Sequence, residues 1–327
     1  MKLIKKYALS LIMLLIIIGI LILLIPSEPN NKANEEDNII RLGYKTHIGF
    51  LPLFVAIEKG YFDEQGLEVE LIEFESTDLM VQALLSGEID ALTGINTLTA
   101  FAVEENSPGK LKIFTTQTYT TEFYADQILV NKDSEITKIK DLKNKKVALP
   151  PGSTFLKFFE IILAKNDLSL EDLEIIQLEP KLQLQALESE NVDAILSLEP
   201  LGVIALNKGI AKSIEDAPFA KYIMNPFPIA VGVLPSDFIE ENQEKTYKLI
   251  QATNKAIEYI ELNPDDSKII LSKWTNIPVE TSLKIHLNKF EKLEDADKEQ
   301  MQKVIDLYYE LDLLENKFEV TDMFYTG

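Results

Sequence analysis

The hydrophobic pattern of residues 39–92 alternates between short apolar runs and amphipathic stretches. The apolar runs are bounded by turn residues and predict strands at 39–44, 67–74 and 90–93. Helices are predicted between them, at 53–58 before Gly60 and from the capping residues 76–78 to Gly87. Alternating strands and helices of this length predict a parallel sheet, which binds ligands beyond the carboxyl ends of its strands.

The same alternation continues beyond residue 92. Further strands are predicted at 111–117, 125–131, 146–149, 173–178, 193–196, 210–214 and 229–234. Helices are predicted at 153–165, 181–189 and 199–207, and then at 236–262, 264–273, 279–291 and 295–313. The predicted fold class is therefore α/β, and the chain is long enough for two lobes that each have a core.

An apolar run at residues 8–25 follows lysines at positions 2, 5 and 6. As a helix this run would be roughly 27 Å long, close to the ~30 Å hydrocarbon core of a bilayer. No Ala-x-Ala cleavage site follows, so residues 1–25 are interpreted as an uncleaved signal anchor, with a cleaved signal peptide as the alternative. The rest of the chain would then lie outside the cytoplasm, joined by a polar linker at 26–38.

The chain is strongly acidic, with 53 Asp and Glu residues against 32 Lys and Arg residues and a net charge of −21. This charge excludes nucleic acid as a partner and argues against a surface that binds anionic lipid. The sequence has no cysteine, and its two histidines, His47 and His286, are too few for a metal site. No cofactor motif or nucleophile–base pair stands out, so we expect a binding protein without a cofactor and not an enzyme.

Five segments resemble the solute-binding proteins of ABC importers in the nitrate, taurine and aliphatic-sulfonate class, whose relatives bind thiamine-precursor pyrimidines. They are GFLPLFVAIEKGYFDEQGLEVEL at 49–71, VQALLSGEIDAL at 81–92, ILVNKDSEITKIKDLKNKKVALPPGSTF at 128–155, VDAILSLEPL at 192–201 and VTDMFY at 320–325. The resemblance implies a two-lobed periplasmic-binding-protein-like fold of type II, with a ligand cleft between the lobes. It places residues 39–124 and 222–327 in lobe 1 and residues 125–221 in lobe 2, with crossovers near 118–127 and 220–230.

The resemblance also implies a role. The protein would be a monomeric extracytoplasmic domain that delivers a small sulfonate- or nitrate-like anion to an ABC permease and its ATPase. A pyrimidine or flavin-like heterocycle is the alternative ligand. A sensor ectodomain and an enzyme on the same fold are less favoured, since the related eukaryotic thiamine-pyrimidine synthases carry a cysteine-rich motif that this chain lacks.

Polar residues follow the first three predicted strands and converge at one edge of the predicted sheet. They are Tyr44, Lys45 and Thr46, then Ser76 and Thr77, and then Gly94, Asn96 and Thr97. Helix capping alone would also explain them. We include them as candidate ligand contacts because their strands end at the same edge.

The turn Gly152-Ser153-Thr154 joins a predicted strand to a predicted helix. Glycine lets the backbone approach closely, and amides at a helix N-terminus can bind sulfonate, phosphate or carboxylate oxygens. The alternative is that Ser153 simply caps its helix; the resemblance implies that the turn faces the ligand. Arg41, the one arginine, lies at the far end of its strand, so no guanidinium clamp is expected.

Two further candidates depend on which way their side chains face. Tyr119 and its aromatic neighbours could form a wall for a planar heterocycle, or they could be hinge packing. Glu199 would suit an amine or a ring nitrogen, or it could be a solvated acid in an acidic chain.

Overall fold

The computed structural model describes residues 38–327. The predicted signal anchor at 1–25, and the predicted linker except for its last residue, lie outside this range. No helix in the described range combines the length and the hydropathy needed to cross a bilayer. Residues 40–327 fold as one unit.

Six strands form the first sheet, in the spatial order β11-β4-β10-β3-β1-β2. β1 and β3 run parallel, with Leu42 opposite Ala91, whereas β10 runs antiparallel to both β3 and β4. The strands are β1 (Ile39–Tyr44), β2 (Glu68–Glu73), β3 (Ala91–Asn96), β4 (Leu111–Tyr119), β10 (Phe227–Pro235) and β11 (Lys289–Lys292).

Five strands form the second sheet, in the order β7-β6-β8-β5-β9. β6 runs parallel to β7 and β8, and β5 runs antiparallel to β8 and β9. The strands are β5 (Asp126–Asn131), β6 (Lys146–Leu149), β7 (Glu174–Gln177), β8 (Ala194–Leu198) and β9 (Ala211–Asp216).

The chain passes from the first sheet to the second after β4 and returns before β10. The first strand after each passage is β5 in the second sheet and β10 in the first sheet. Each of these strands lies between two neighbouring strands and runs antiparallel to both. Both connections therefore run side by side between the sheets. The predicted lobe boundaries at residues 124 and 222 fall on these connections and stay a prediction.

Thirteen α-helices cover the sheets in the described range. Those before the return are α1 (Leu51–Glu58), α2 (Tyr61–Glu64), α3 (Thr77–Leu85), α4 (Thr97–Asn106), α5 (Ser153–Ala164), α6 (Pro180–Glu188), α7 (Leu201–Asn207) and α8 (Pro218–Tyr222). Those after it are α9 (Ser236–Glu241), α10 (Gln243–Leu262), α11 (Pro264–Thr275), α12 (Val279–Ser282) and α13 (Lys298–Glu310).

The second sheet buries both of its faces. Along β5, Ile128 and Val130 belong to the main core, whereas Leu129 between them packs into a second apolar cluster with Leu187 and Ile195. Side chains of a strand alternate between faces, so one strand can supply two apolar layers. This explains the nearly continuous apolar runs seen in the sequence.

Two predictions for the C-terminal part are wrong. The helix predicted at 279–291 ends at Ser282, and residues 289–292 instead form edge strand β11 against β4. Phe290 and Glu291 are both buried, and Glu291 accepts hydrogen bonds from the hydroxyls of Thr116 and Thr118 on β4. The helix predicted at 236–262 is broken at Asn242, whose φ of −133° is not helical.

Candidate ligand-binding cleft

A cavity of about 620 Å³ lies between the two sheets, where the loops after their strands meet. We call it the cleft cavity. The second sheet and its helices contribute Pro151, Thr154, Phe155, Phe158, Leu198 and Phe219. The first sheet and its helices contribute Lys45, His47, Gly49, Phe50, Thr77, Met80, Gly94, Ile95, Asn96, Leu98, Thr99, Gln117, Tyr119, Ile229, Ala230 and Tyr308.

Gly94 and Gln117 fix the first-sheet side of this cavity. A Cβ on Gly94 would lie 2.6 Å from the carbonyl oxygen of Gly49, so only glycine fits there. The Gln117 amide donates to that same carbonyl at 2.7 Å. Its oxygen accepts a hydrogen bond of 3.0 Å from Asn288. The backbone around the cavity floor is therefore held by buried bonds before any ligand arrives.

His47 sits at the same floor and caps the short 3₁₀ helix Ile48–Phe50. Its Nδ1 accepts a hydrogen bond of 3.1 Å from the Gly49 amide. The surrounding protein lowers the pKa of His47 to about 4, first through loss of solvation and then through the charge of Lys45. His47 is an exposed residue that lines the cleft cavity, so a ligand in the cavity can contact it.

The N-terminus of α5 faces the cleft cavity from the second-sheet side. Gly152 is its N-cap, with φ of 117°, and no side chain in residues 38–327 caps the helix. Ser153 is the first helical residue and does not cap the helix. The alternative that this serine acts only as a helix cap is therefore wrong. Amides in this position carry partial positive charge and lack intrahelical partners.

The charges around the cleft cavity differ from those of the whole chain. Among its lining residues Lys45 is the one with a full charge at neutral pH, and none is an Asp or Glu. The rest of the wall is largely apolar or aromatic. An acid-free cavity in a chain with 53 acidic residues favours an anionic ligand.

Six of the thirteen candidate residues named from the sequence line this cavity: Lys45, Thr77, Gly94, Asn96, Tyr119 and Thr154. Gly152 and Ser153 are exposed beside it without lining it. Thr46 donates to Glu73 at 2.5 Å, and Tyr44 packs edge-on against Phe54 and Trp274.

Two other candidate residues form hydrogen bonds within the protein and do not line the cleft cavity. Ser76 caps α3 by accepting from the Leu79 amide at 3.3 Å. Thr97 is fully buried, and its hydroxyl lies 2.9 Å from the hydroxyl of Tyr308. β3 ends at Asn96, whose side chain caps α4 by accepting from the Thr99 amide at 2.8 Å, and Thr97 is the first residue of that helix.

Glu199 lines a different cavity, of about 430 Å³, with Val203, Leu206, Asn207, Lys284 and His286. Its Oε2 accepts from the Val203 amide at 3.0 Å, and the residue is only 3% exposed. Burial raises the pKa of Glu199 to about 7, against the opposing effect of the Val203 and His286 amides. The adjacent Leu198 lines the cleft cavity, so the end of β8 separates the cleft cavity from the cavity beside Glu199.

The sequence alone gave little sign of several lining residues. Phe155 and Phe158 are spaced to share one face of α5, and this spacing could have added Phe158 to the aromatic wall. Gln117 and Tyr308 carried no local signal, since their partners are distant in the chain. Of the aromatic residues near Tyr119, Tyr124 stacks on His286 at 4.3 Å and does not line the cleft cavity.

Comparison with known proteins gives consistent results. The model of the family described as NMT1/THI5 like matches residues 47–267. A Bacillus subtilis protein named for binding aliphatic sulfonates is 25% identical over 95% of this chain and 93% of its own.

Two solved structures share the fold. The periplasmic aliphatic sulphonate binding protein SsuA of Escherichia coli has a TM-score of 0.73 at 19% identity, over 89% of this chain and 92% of its own. The alkanesulfonate-binding protein SsuA of Xanthomonas axonopodis pv. citri, bound to MOPS, has a TM-score of 0.68 at 20% identity, over 92% of this chain and all of its own (100%). The two-sheet architecture is thus that of periplasmic binding proteins, and the chain belongs to the NMT1/THI5-like family.

Proposed function

We propose that the protein is the extracytoplasmic solute-binding component of an ABC importer and that it captures an organic anion with a sulfonate-like head. The observation that carries this proposal is the absence of any acidic residue among the residues lining the cleft cavity, in so acidic a chain. A carboxylate in the wall would repel an anion, whereas Lys45 and the α5 amides attract one.

The head group would bind at the N-terminus of α5. Sulfonate oxygens accept hydrogen bonds, and the amides that follow Gly152 lack intrahelical partners, while the Gly152 amide itself donates to the Gln177 side chain at 3.4 Å. Thr154 lines the cavity one residue into the helix and can donate its hydroxyl. A bond to a charged group contributes about 1.5–3 kcal/mol, so three such bonds supply about 4.5–9 kcal/mol, against the roughly 8.2 kcal/mol of a micromolar affinity.

The organic part would lie against the aromatic side of the cavity, formed by Phe50, Phe155, Phe158 and Phe219. Such a wall favours an alkyl or aryl sulfonate over nitrate, because nitrate has no apolar surface to bury. The cavity volume of about 620 Å³ falls in the ordinary range for small-molecule sites. The names of the relatives, which refer to aliphatic sulfonates, support the same class of ligand.

A heterocyclic ligand is the second candidate. Tyr119 and Phe155 line the cavity from opposite sheets and could stack on a planar ring. In either case residues from both sheets contact the ligand. We propose that the two lobes, 39–124 with 222–327 and 125–221, close on it by hinging and then present it to a permease and its ATPase.

The test is isothermal titration calorimetry of the full-length protein with methanesulfonate, hexanesulfonate, nitrate and 4-aminopyrimidine. Dimethyl sulfone, which has the shape of methanesulfonate without its charge, is the matched control. We expect sulfonates to bind, dimethyl sulfone not to bind, and each buried methylene to add about 0.8 kcal/mol, roughly a fourfold gain in affinity. Binding of 4-aminopyrimidine without binding of any sulfonate would reject the anion proposal.

A further inference from the structure

The wall of the cleft cavity offers a ligand many hydrogen-bond donors and few acceptors. Apart from hydroxyls, three lining side chains contain a nitrogen or oxygen acceptor, namely Nδ1 of His47, Oδ1 of Asn96 and Oε1 of Gln117. Each of these atoms already accepts a hydrogen bond from the protein. No Asp or Glu is among the lining residues in the described range, so no carboxylate adds an acceptor.

His47 presents a donor to the cavity. Its Nδ1 accepts from the Gly49 amide at 3.1 Å, so the hydrogen of the neutral ring lies on Nε2. Because the pKa of His47 is lowered to about 4, this neutral form prevails at pH values above that. The ring nitrogen that remains for a ligand is therefore an N–H group.

Asn96 also presents a donor. Its Oδ1 accepts from both the amide and the hydroxyl of Thr99, each at 2.8 Å, and these two bonds use both lone pairs of the oxygen. A backbone amide can only donate, so the bond from Thr99 fixes which side-chain atom is the oxygen. Within residues 38–327 the Nδ2 of Asn96 has no hydrogen-bond partner, and it remains for a ligand.

Two further acceptors at the cavity floor are already bonded. The Gln117 Oε1 accepts from Asn288 at 3.0 Å, and the Gly49 carbonyl accepts from the Gln117 amide at 2.7 Å. The other side-chain oxygens of the wall belong to hydroxyls, as in Thr77 and Thr154, which donate as readily as they accept. A hydroxyl that turns to accept from a ligand no longer donates to it, so the ligand loses a bond.

Building on the function proposed above, we propose that the cleft cavity selects an oxyanion head that carries no hydrogen, with the α5 amides on one side of it and the donors of His47 and Asn96 on the other. A sulfonate meets this condition, because all of its oxygens are acceptors. An alkylphosphonate of the same charge carries one P–O–H group, whose hydrogen would be buried without an acceptor. The cavity would thus separate sulfonates from phosphonates by hydrogen bonding and not by charge.

The experiment compares hexanesulfonate with hexylphosphonate, which has the same alkyl chain, by calorimetry of the full-length protein. At about pH 5, below the second pKa of about 6 that a phosphoryl group has, each ligand carries one negative charge. We expect hexylphosphonate to bind at least about tenfold more weakly there, since one donor stays unpaired. At about pH 9 the phosphonate has lost this hydrogen, and the difference should disappear or reverse.

Repeating the titration in two buffers with different ionisation enthalpies counts the protons that binding releases. At about pH 6 the phosphonate should give up about one proton, because only the form without hydrogen is admitted. Hexanesulfonate has no proton to give up, and it is the control for any proton exchanged by the protein.

Asn96→Asp keeps the cap of α4 and replaces the Nδ2 donor by an oxygen acceptor. At about pH 5 its charge opposes both ligands equally, so the ratio of the two affinities reports on hydrogen bonding. We expect the preference for hexanesulfonate to fall about tenfold. Asn144→Asp adds the same charge at an exposed position before β6, at the end of that strand opposite the cleft, and should keep the ratio of the unmodified protein.

Equal affinities of the two ligands at about pH 5, or a ratio that Asn96→Asp leaves unchanged, would overturn this selectivity while leaving sulfonate binding intact. Failure of hexanesulfonate to bind at either pH would instead overturn the function proposed above, and the selectivity with it. If Asn96→Asp does not fold, the comparison at the two pH values in the unmodified protein decides.

Discussion

Leu198 and Glu199 are adjacent in the chain, yet they face two cavities that differ in whether an acidic side chain lines them. The cleft cavity has a lysine, an uncapped helix N-terminus and no acidic residue in its wall. The cavity beside Glu199 has a buried carboxylate together with a lysine, Lys284. The contrast shows that net charge, here −21, says little about any one site, because the fold separates charges that the sequence places together.

The largest expected effect concerns the helix N-terminus in the cleft cavity. Gly152 has φ of 117°, which a β-branched residue cannot adopt without strain, so Gly152→Val should move the amides that follow it. We expect sulfonate affinity to fall about a hundredfold, from the loss of one or two charge-assisted bonds. Calorimetry with hexanesulfonate measures this change.

Gly209→Val is the matched control for that substitution. Gly209 also has a positive φ, of 63°, and like Gly152 has open space around its missing Cβ, but it lies outside both cavities. Its replacement should lower stability and leave affinity unchanged. Equal affinities in the two valine variants would remove the α5 N-terminus from the binding site.

The next effect concerns Glu199 and the dependence of protein stability on pH. The pKa of Glu199 is about 7 in the folded protein against 4.5 for a free glutamate, so the folded state binds more protons between these values. The contribution to stability is present below pH 4.5 and is lost as the pH rises through about 7. Glu199→Gln should remove this dependence, on the order of 2 kcal/mol.

Thermal or urea unfolding at about pH 5 and about pH 8 gives the difference between the two proteins. Glu199→Gln should gain stability relative to the unmodified chain at the higher pH, because the charged buried form is then absent. Glu188→Gln, which replaces an exposed glutamate, should follow the unmodified chain at both values. A Glu199→Gln protein with the full pH dependence would mean that Glu199 is ionised throughout.

A smaller effect is expected at His47 in the cleft cavity. Its pKa of about 4 lies below the usual 6.5, and a bound anion would raise it by stabilising the imidazolium. Sulfonate affinity should therefore increase about threefold as the pH falls from about 7 to about 5. His47→Asn retains an acceptor for the Gly49 amide and should bind equally at both values. If the affinity of His47→Asn for sulfonate rises as much as that of the unmodified protein, a group other than His47 takes up the proton.

The smallest effect is expected at Lys45, which is half-buried at the edge of the cleft cavity. Lys45→Gln should weaken sulfonate binding by about threefold at low salt and by less at high salt, because ions screen an accessible charge. Lys208→Gln, at an exposed lysine outside both cavities, is the matched control. Affinities measured at two salt concentrations separate this screened attraction from a direct hydrogen bond, whose loss would not depend on salt.

The sequence predicted the parts of the fold that depend on local pattern. All the strands except β11, and the turn at 152–154, follow from apolar runs and from glycine, which act over a few residues. Edge strand β11 was predicted as helix because residues 289–292 are too few to distinguish the two periods. The polar residues after β1 and β3 were recognised, but whether each faces the cavity depends on where its strand ends.

Residues that depend on distant contacts could not be predicted in this way. Glu199 was grouped with the cleft because it follows a strand, yet its side chain turns back to the first amides of α7. Gln117 lies within β4, and its role depends on a carbonyl 68 positions away. No local signal separates such residues from ordinary core positions.

The bond between Thr97 and Tyr308 joins residues 211 positions apart at the wall of the cleft cavity. Synthesis runs from the N-terminus, so every nascent chain shorter than 308 residues lacks this part of the wall. β10, which sits between β3 and β4, is likewise added late. The ligand therefore cannot template early folding during synthesis, because its site forms only after Tyr308 has been added.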